Sequence, residues 1–368
     1  MAQRNARWRY LAGALTTLAV ALLAGCGPAE NFKQSSLDPQ SDFTRMIHSL
    51  FQVEYYLALV VFILVEGALV YVVLRFRGKP EDPEPEQVHG NTVIEVIWTA
   101  IPALILAALA VPTVKSIFRT YEVPQGDVLQ VDVIGHQWWW EFRYPQHGLV
   151  TANELHVPTG RTVSLRMITQ DVLHSFWLPK LAAKRDVFQQ RTTTLWFTAE
   201  KEGLYPGQCT EFCGLQHGRM AFQVMADSPQ GFEQYLATLK ASAPAPAPAA
   251  APAAADSAKP KAAVAGTTTA TLGATTVVAD TLAGAQLWMT KGCLGCHSLD
   301  ATKPMGVGPN LAGIGTRKYI AAGWLENTDA NLAKWIQHPQ EVKHGVIMPD
   351  LGLTDAEAQT LAAYLRQH

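Results

Sequence analysis

Neither sign of charge is in excess along this chain of 368 residues: 29 lysines and arginines stand against 31 aspartates and glutamates, a formal charge of -2. So even a balance gives no sign of nucleic-acid binding. Cysteine is scarce, with five in all. Four of them fall in two short motifs, at Cys209 and Cys213 and at Cys293 and Cys296, which leaves Cys26 alone near the N-terminus. A chain of this length allows two or three domains.

Residues Cys209 to Met220 read CTEFCGLQHGRM, which sets two cysteines, a histidine and a methionine at Cys-x3-Cys-x3-His-x2-Met spacing. These are soft copper ligands, close enough together for one metal site. A mononuclear blue-copper site needs a single thiolate with histidine and a weak axial methionine, whereas two thiolates on one loop are enough to bridge a pair of copper ions. The loop supplies one imidazole, so a second has to come from elsewhere. His174 in DVLHSFWLP is the candidate, because it follows the strand-like TVSLRMIT and precedes an aromatic pair. A plain disulfide, or a zinc site of two cysteines and two histidines, would use the same thiols. Met220 and His174 argue against both, since zinc rarely recruits a thioether.

Position by position, this loop resembles the CxExCGxxHxxM pattern of subunit II of the haem-copper cytochrome c oxidases. The resemblance implies a binuclear copper A centre bridged by Cys209 and Cys213. His174 and Met220 would complete one ion, and His217 with the backbone carbonyl of Glu211 the other. It also implies a magnesium ion on the Glu211 carboxylate, shared with subunit I.

Cys293, Leu294, Gly295, Cys296 and His297 spell Cys-x-x-Cys-His, the attachment site of a c-type haem. Gly308 to Leu311 (Gly-Pro-Asn-Leu), Met348 with Pro349, and helical flanks of suitable length accompany it. Met348 is the candidate sixth ligand, a thioether that would raise the reduction potential. Met305 is the rival, but it lies close to His297 in sequence and is otherwise a loop-packing residue. Residues 280–368 resemble a class I cytochrome c, which implies an all-α domain, bounded here at 277–368, with the Pro309 carbonyl orienting His297.

Arg4, Arg7 and Arg9 precede the apolar run LAGALTTLAVALLAGC, the layout of a signal peptide over residues 1–25. Leu23-Ala24-Gly25-Cys26 resembles a bacterial lipobox, which implies lipidation of Cys26; an uncut membrane helix and ordinary cleavage are the alternatives. Two later apolar runs, 55–74 and 93–112, match the length that a hydrocarbon core of roughly 30 Å demands. Residues 26–122 therefore read as an N-terminal segment and a transmembrane hairpin. Arg75, Arg77 and Lys79 suit a cytoplasmic connecting loop, although Lys33, Arg45, Lys115 and Arg119 dilute that signal. Haem attachment and lipidation both belong outside, and two spans return the chain there. That order puts the copper and haem domains on the periplasmic side of the bacterial cytoplasmic membrane. Glu66 lies inside the first span, where a carboxylate faces protein or water. Glu95 opens the second, in IEVIWTAIP, and resemblance to subunit II places it at the mouth of a proton channel of subunit I; otherwise it is a solvated helix-end charge.

Residues 125–240 alternate apolar and polar positions in VLQVDVIG, TVSLRMIT, TTTLWFTA and AFQVMA, the pattern of a β-sandwich. The resemblance makes it cupredoxin-like. Three consecutive tryptophans in GHQWWWEFRYP cannot share one face of a strand, so at least one is exposed or caps the sheet edge. The family pattern here is Gly-His-Gln-Trp-Tyr-Trp, which implies that Trp138 is where cytochrome c delivers electrons and that Trp139 replaces a tyrosine. The family's Asp-x-x-Pro-Gly-Arg turn becomes DVFQQR at Asp186 to Arg191. Residues 241–276, rich in Pro and Ala, read as a semi-extended tether, which raises the effective concentration of the haem domain near the copper domain. Neither domain carries a strong net field to steer a basic cytochrome.

Together these features resemble a caa-type subunit II with a fused cytochrome c. The implied protein is a multidomain membrane protein made of a two-helix transmembrane hairpin, a β-sandwich (cupredoxin-like) copper domain and an all-α class I cytochrome c domain. The implied function is to pass electrons from cytochrome c or another donor through haem c and copper A to subunit I. Dioxygen is reduced and protons are pumped there, so this chain needs no catalytic nucleophile or acid/base pair. Subunit I, subunit III and membrane lipid are the expected partners, and nucleic acid is not. The rivals are a copper A subunit of a nitric oxide reductase and a membrane-tethered copper-delivery protein.

Overall fold

The computed structural model describes residues 13, 16–17, 20, 27–78, 81, 83–84, 86–241 and 282–368. Cys26, nearly all of the signal-like segment and nearly all of the 241–276 stretch lie outside these residues.

Helices α1 (Asp42–Arg75) and α2 (Thr92–Tyr121) are long and apolar enough to cross a bilayer. Both run past the apolar stretches that announce them. The extra turns of α1 are polar outside and anchored inside: the Ser41 hydroxyl caps the helix by accepting from Thr44 N–H, while Phe43 is buried edge-on to Trp196 at 5.2 Å. Ser41 Oγ also donates to the Leu181 carbonyl (2.6 Å), and the Asp42 carboxylate accepts from Thr198 N–H (2.9 Å). The hairpin is thereby clamped to the domain that follows it. Helix α2 continues through Pro102 and Pro112, a substitution pattern that membrane helices tolerate because neighbouring groups re-satisfy the freed carbonyls.

Ten strands form the middle domain: β1 (Val128–His136), β2 (Trp139–Tyr144), β3 (Leu149–Ala152), β4 (Glu154–Pro158), β5 (Thr162–Thr169), β6 (His174–Trp177), β7 (Lys184–Val187), β8 (Thr193–Thr198), β9 (Gly203–Cys209) and β10 (Ala221–Asp227). They make two five-stranded sheets, ordered β3-β2-β1-β5-β8 and β4-β10-β9-β6-β7. In β1 the alternation is visible directly, with Leu129, Val131 and Val133 buried between half-exposed Gln130 and Asp132. Phe176 and Phe222 stack at 4.2 Å between the sheets, and burying each such ring contributes on the order of 2 kcal/mol. Gly207 leaves room for them, since a Cβ there would lie 2.0 Å from the Phe222 ring.

Helix α3 (Pro229–Ala241) closes one side through Phe232, Leu236 and Leu239. The C-terminal domain holds helices α4 (282–290), α5 (Asp329–Gln337), α6 (Pro339–Val342) and α7 (Asp355–Leu365). A two-residue strand pair, β11 (Tyr319–Ile320) with β12 (Leu325–Glu326), is an addition to the expected all-α plan. Thr354 and Glu357 form a capping box at the start of α7. Helix α4 crosses α7 at Gly284, where an added Cβ would lie 2.3 Å from Tyr364 Cβ.

His156 ties β4, β10 and the C-terminal domain together. One ring nitrogen donates to Asp227 Oδ2 (2.7 Å) and the other to Glu154 Oε1 (3.2 Å), while Glu154 Oε2 accepts from Lys318 N–H (3.0 Å). Tyr235 stacks on the imidazole at 3.6 Å. Burial works to lower the His156 pKa, but the hydrogen bonds to Asp227 and Glu154 outweigh it and raise the pKa above its ordinary value. A raised folded-state pKa gives stability that is complete below the unfolded value of about 6.5 and is lost as pH rises through the folded one. His156→Gln is therefore expected to lower the thermal midpoint most at acidic pH, with the gap to wild type narrowing at alkaline pH. Thermal melts across pH check this, and a pH-independent gap would contradict it.

Candidate metal centres

Strand β9 delivers Cys209 to one end of the sandwich, and the loop from Thr210 to Met220 folds back so that Met220 leads into β10. Cys209 N–H donates to the Met220 carbonyl at 2.9 Å, which closes the loop. Strand β6 starts at His174 and pairs with β9 through Phe176 and Cys209. Residues distant in sequence thus converge. The two sulfurs are free thiols 3.8 Å apart. His174 Nδ1 lies 3.8 Å from Cys209 Sγ, His217 Nδ1 lies 3.7 Å from Cys213 Sγ, and Met220 Sδ lies 3.8 Å from Cys213 Sγ. Cys209 Sγ also lies 3.3 Å from the Glu211 carbonyl oxygen. The pair His174 and Met220, and the pair His217 and Glu211 carbonyl, each straddle the two sulfurs. Two thiolates, two imidazoles, a thioether and a carbonyl make a donor set that fits copper.

The electrostatics fit as well. The hydrogen bond from Cys213 lowers the Cys209 pKa against burial, and the same bond together with burial raises Cys213. Cations at the site would displace the thiol protons. His174 is fully buried, and its Nε2–H donates to Asp171 Oδ1 at 2.8 Å, turning Nδ1 towards Cys209. A carboxylate behind a ligating histidine is a recurring device for fixing the tautomer. Burial works to raise Asp171, but hydrogen bonds from His174, Gln137 N–H and Val172 N–H hold it below the usual carboxylate range. Gly135 makes the ring's position possible, since a Cβ there would lie 2.9 Å from His174 Cδ2.

The three tryptophans have different surroundings. Trp140 is fully buried between the sheets, and Trp139 stacks on His136 at 4.1 Å. Half-buried Trp138 donates its indole N–H to the Cys213 carbonyl at 2.9 Å, beside Gln137 Nε2 at 2.7 Å on the same oxygen.

Trp138 and Trp139 also line a largely apolar cleft with Cys293, Cys296, His297, Met348 and Trp335. His297 Nδ1 donates to the Pro309 carbonyl (2.7 Å), and Gly308 is required beside it because a Cβ would lie 2.7 Å from the imidazole. Burial, with the Arg317 charge adding to it, lowers the His297 pKa despite that carbonyl. A neutral, oriented imidazole beside two free thiols fits covalent haem attachment. Met348 lines the cleft; Met305 is not among its lining residues.

Family profiles match three parts of the chain: the transmembrane domain of cytochrome c oxidase subunit II over 30–116, its periplasmic domain over 146–226, and cytochrome c over 282–368. Cytochrome c oxidase subunit 2 of Alkalihalophilus pseudofirmus is 33% identical, covering 97% of this chain and 96% of the relative. The chain belongs to the cytochrome c oxidase subunit II family. The same subunit of Bacillus sp. PS3 is 32% identical over 97% of this chain and 96% of the relative. The crystal structure of the periplasmic domain of subunit II from Bradyrhizobium japonicum covers 32% of this chain and 96% of that one, with 29% identity and a TM-score of 0.31. As a subunit II, the chain is the electron-input part of an oxidoreductase complex, and the reductase and copper-delivery alternatives are not favoured. Its copper and cytochrome c domains imply copper and haem, and its two apolar helices anchor it in a membrane.

The structure brings together the six residues expected around copper and sets Cys293, Cys296, His297 and Met348 on one cleft; it adds Asp171, which the sequence pattern had not singled out. Its signal was local, an acidic residue three places before the candidate histidine. Glu95, in the first turn of α2, accepts from Asn91 N–H at 3.2 Å, so its contact within subunit II is with its own helix start. Glu66 is exposed on α1, and Arg191 lies over the Phe188 ring at 4.2 Å in the divergent turn. Removing a carboxylate behind a ligating histidine typically costs about 10- to 100-fold in metal affinity. Asp171→Asn is expected to weaken copper binding by that order in a chelator-competition titration; wild-type affinity would contradict the orienting role.

Proposed function

We propose that Cys209, Cys213, His174, His217, Met220 and the Glu211 carbonyl hold a binuclear copper A centre, and that Cys293, Cys296, His297 and Met348 hold one covalent haem c. Two free thiols 3.8 Å apart, flanked by imidazoles at 3.8 and 3.7 Å, carry this reading. When bound, the copper pair and the haem each supply a reversible one-electron step. The chain's own residues do the rest. Cys209 and Cys213 bind as thiolates, giving up their protons on metal binding, Asp171 fixes the His174 ring, and Pro309 fixes His297. The buried sandwich end keeps water from the sulfurs, which lets a rigid ligand set change charge with little rearrangement.

Trp138 lines the haem cleft and hydrogen-bonds the carbonyl of a bridging cysteine, which supports its assignment as the residue through which electrons arrive. Towards subunit I, Glu211 offers its carboxylate to a shared magnesium ion, and Glu95 lies at the proton-channel mouth of that subunit. Subunit III completes the complex, and cytochrome c or a comparable protein is the donor. Both soluble domains face the periplasm, with Cys26 as the lipid-bearing residue, and 1–25, 26–122, 125–240, 241–276 and 277–368 are the working divisions of the chain.

In the assembled oxidase, Cys213→Ser is expected to leave haem c reducible by an added donor while dioxygen consumption falls to background. Sustained consumption with the same donor would contradict the copper pair as an obligatory relay.

A further inference from the structure

The haem domain grips the copper loop itself. Gln216 donates its side-chain N–H to the His344 carbonyl, Arg219 Nη1 donates to the Val342 carbonyl (3.3 Å), and Ala221 N–H donates to the Ala322 carbonyl (3.1 Å). The Arg219 guanidinium lies over the Trp324 ring at 4.6 Å, and a Cβ on Gly345 would meet the Leu215 side chain at 2.9 Å. Residues 215 to 221, which carry His217 and Met220, are thus sewn to residues 321 to 345, which lead directly to Met348.

Lys343 sits at the centre of this seam with 2% of its surface exposed. Its ammonium donates to the Arg219 carbonyl on the copper side (2.8 Å) and the Ala321 carbonyl on the haem side (3.0 Å). Burial, reinforced by the Arg219 charge, lowers its pKa to about 7. A buried cation held by two carbonyls alone is costly for the fold. The haem-side acceptor is displayed by backbone in an unusual state: Ala321 and its neighbour Ala322, whose carbonyl accepts from Ala221 N–H, both lie in the left-handed region, at φ 53 and 57, next to Gly323 at φ 78. Alanine rarely adopts this conformation, and such strain persists where the surroundings impose it. Two disfavoured features converge on one contact, and each contributes a carbonyl or a donor to it.

We propose that Lys343 is a positioning residue that fastens the haem domain to the copper-ligand loop, so that electrons cross between the two centres in one docked arrangement rather than through transient encounters. The inference rests on the copper and haem reading of the two sites. One electron leaves the haem iron and one arrives at the copper pair, with no bond made or broken. Trp138, which lines the haem cleft and hydrogen-bonds the Cys213 carbonyl, then meets the chain's own haem domain.

Two measurements test this. In the assembled oxidase carrying haem and copper, an electron is delivered to haem c by a photoreductant and copper reduction is timed. Lys343→Leu is expected to slow that step by about tenfold or more, because a tether fixes concentration but not orientation. The haem spectrum and both midpoint potentials are expected to match wild type, and Lys343→Arg is expected to recover most of the rate. An unchanged rate in Lys343→Leu overturns the proposal. The second measurement needs no variant: the full chain loaded with haem and copper is treated with an amine-acylating reagent. Lys303, with 68% of its side chain exposed, is expected to react while Lys343 stays unmodified. Equal labelling of the two overturns the docked arrangement. A wild-type preparation with haem but without the copper absorption bands fails the copper assignment itself and removes the proposal with it, so the two failures are read from different signals.

Discussion

Two buried sulfurs side by side are the constraint on which the rest of the molecule depends. Cys209 and Cys213 are 1% and 3% exposed and their sulfurs are 3.8 Å apart. Ionising both without a cation would place two like charges in contact, a repulsion on the order of 4 kcal/mol at an effective dielectric constant of about 20. Copper ions between the sulfurs would remove it. A site of this kind needs rigid walls, because ligands free to move apart would relieve the repulsion by separating. The walls are the β6–β9 pairing beneath Cys209, the Asp171 carboxylate behind His174, and Gly135 and Gly207, whose missing side chains admit the His174 and Phe222 rings.

The same loop is also the meeting point of the domains. Trp138 and Gln137 donate to the Cys213 carbonyl from one side. Gln216, Arg219 and Ala221 reach the haem domain on the other. Force or displacement at the haem domain therefore acts on the segment that carries His217 and Met220. Helix α1 adds a third attachment through Ser41, Asp42 and Phe43, which links the sandwich to the membrane hairpin. An electron relay needs fixed separations between its stations, and these attachments are the means by which the chain provides them.

How much of this was legible in the sequence follows from the range of the contacts. The candidate donors Cys209, Cys213, His217 and Met220 and the Cys293–Cys296–His297 motif are local, so spacing revealed them, while the Glu211 carbonyl came only with the family resemblance. The strands β1 and β5 were visible because apolar residues recur at every second position, at Leu129, Val131 and Val133 and at Val163, Leu165 and Met167. Strands β8 and β10 were read with them, although they bury consecutive residues, whereas β9 buries Tyr205, Gly207 and Cys209 in alternation but hides that period in the sequence behind Pro206 and Gly207. The first turns of α1 escaped the apolar-run criterion because they bury one face against the sandwich rather than against lipid. The Trp138–Trp139–Trp140 run could be recognised but not sorted, since the partners that distinguish the rings lie on other elements. Lys343 gave no signal at all: a lysine next to a histidine in a polar loop reads as solvated, and only the arrival of the Arg219 and Ala321 carbonyls buries it.

The most direct test of the copper pair is low-temperature electron paramagnetic resonance, with metal analysis, on the full chain matured with haem and loaded with copper. The account predicts two coppers per haem and a hyperfine pattern from one unpaired electron shared equally by two copper nuclei. One copper per haem with the pattern of a single nucleus, or zinc in its place with no copper signal, would contradict it.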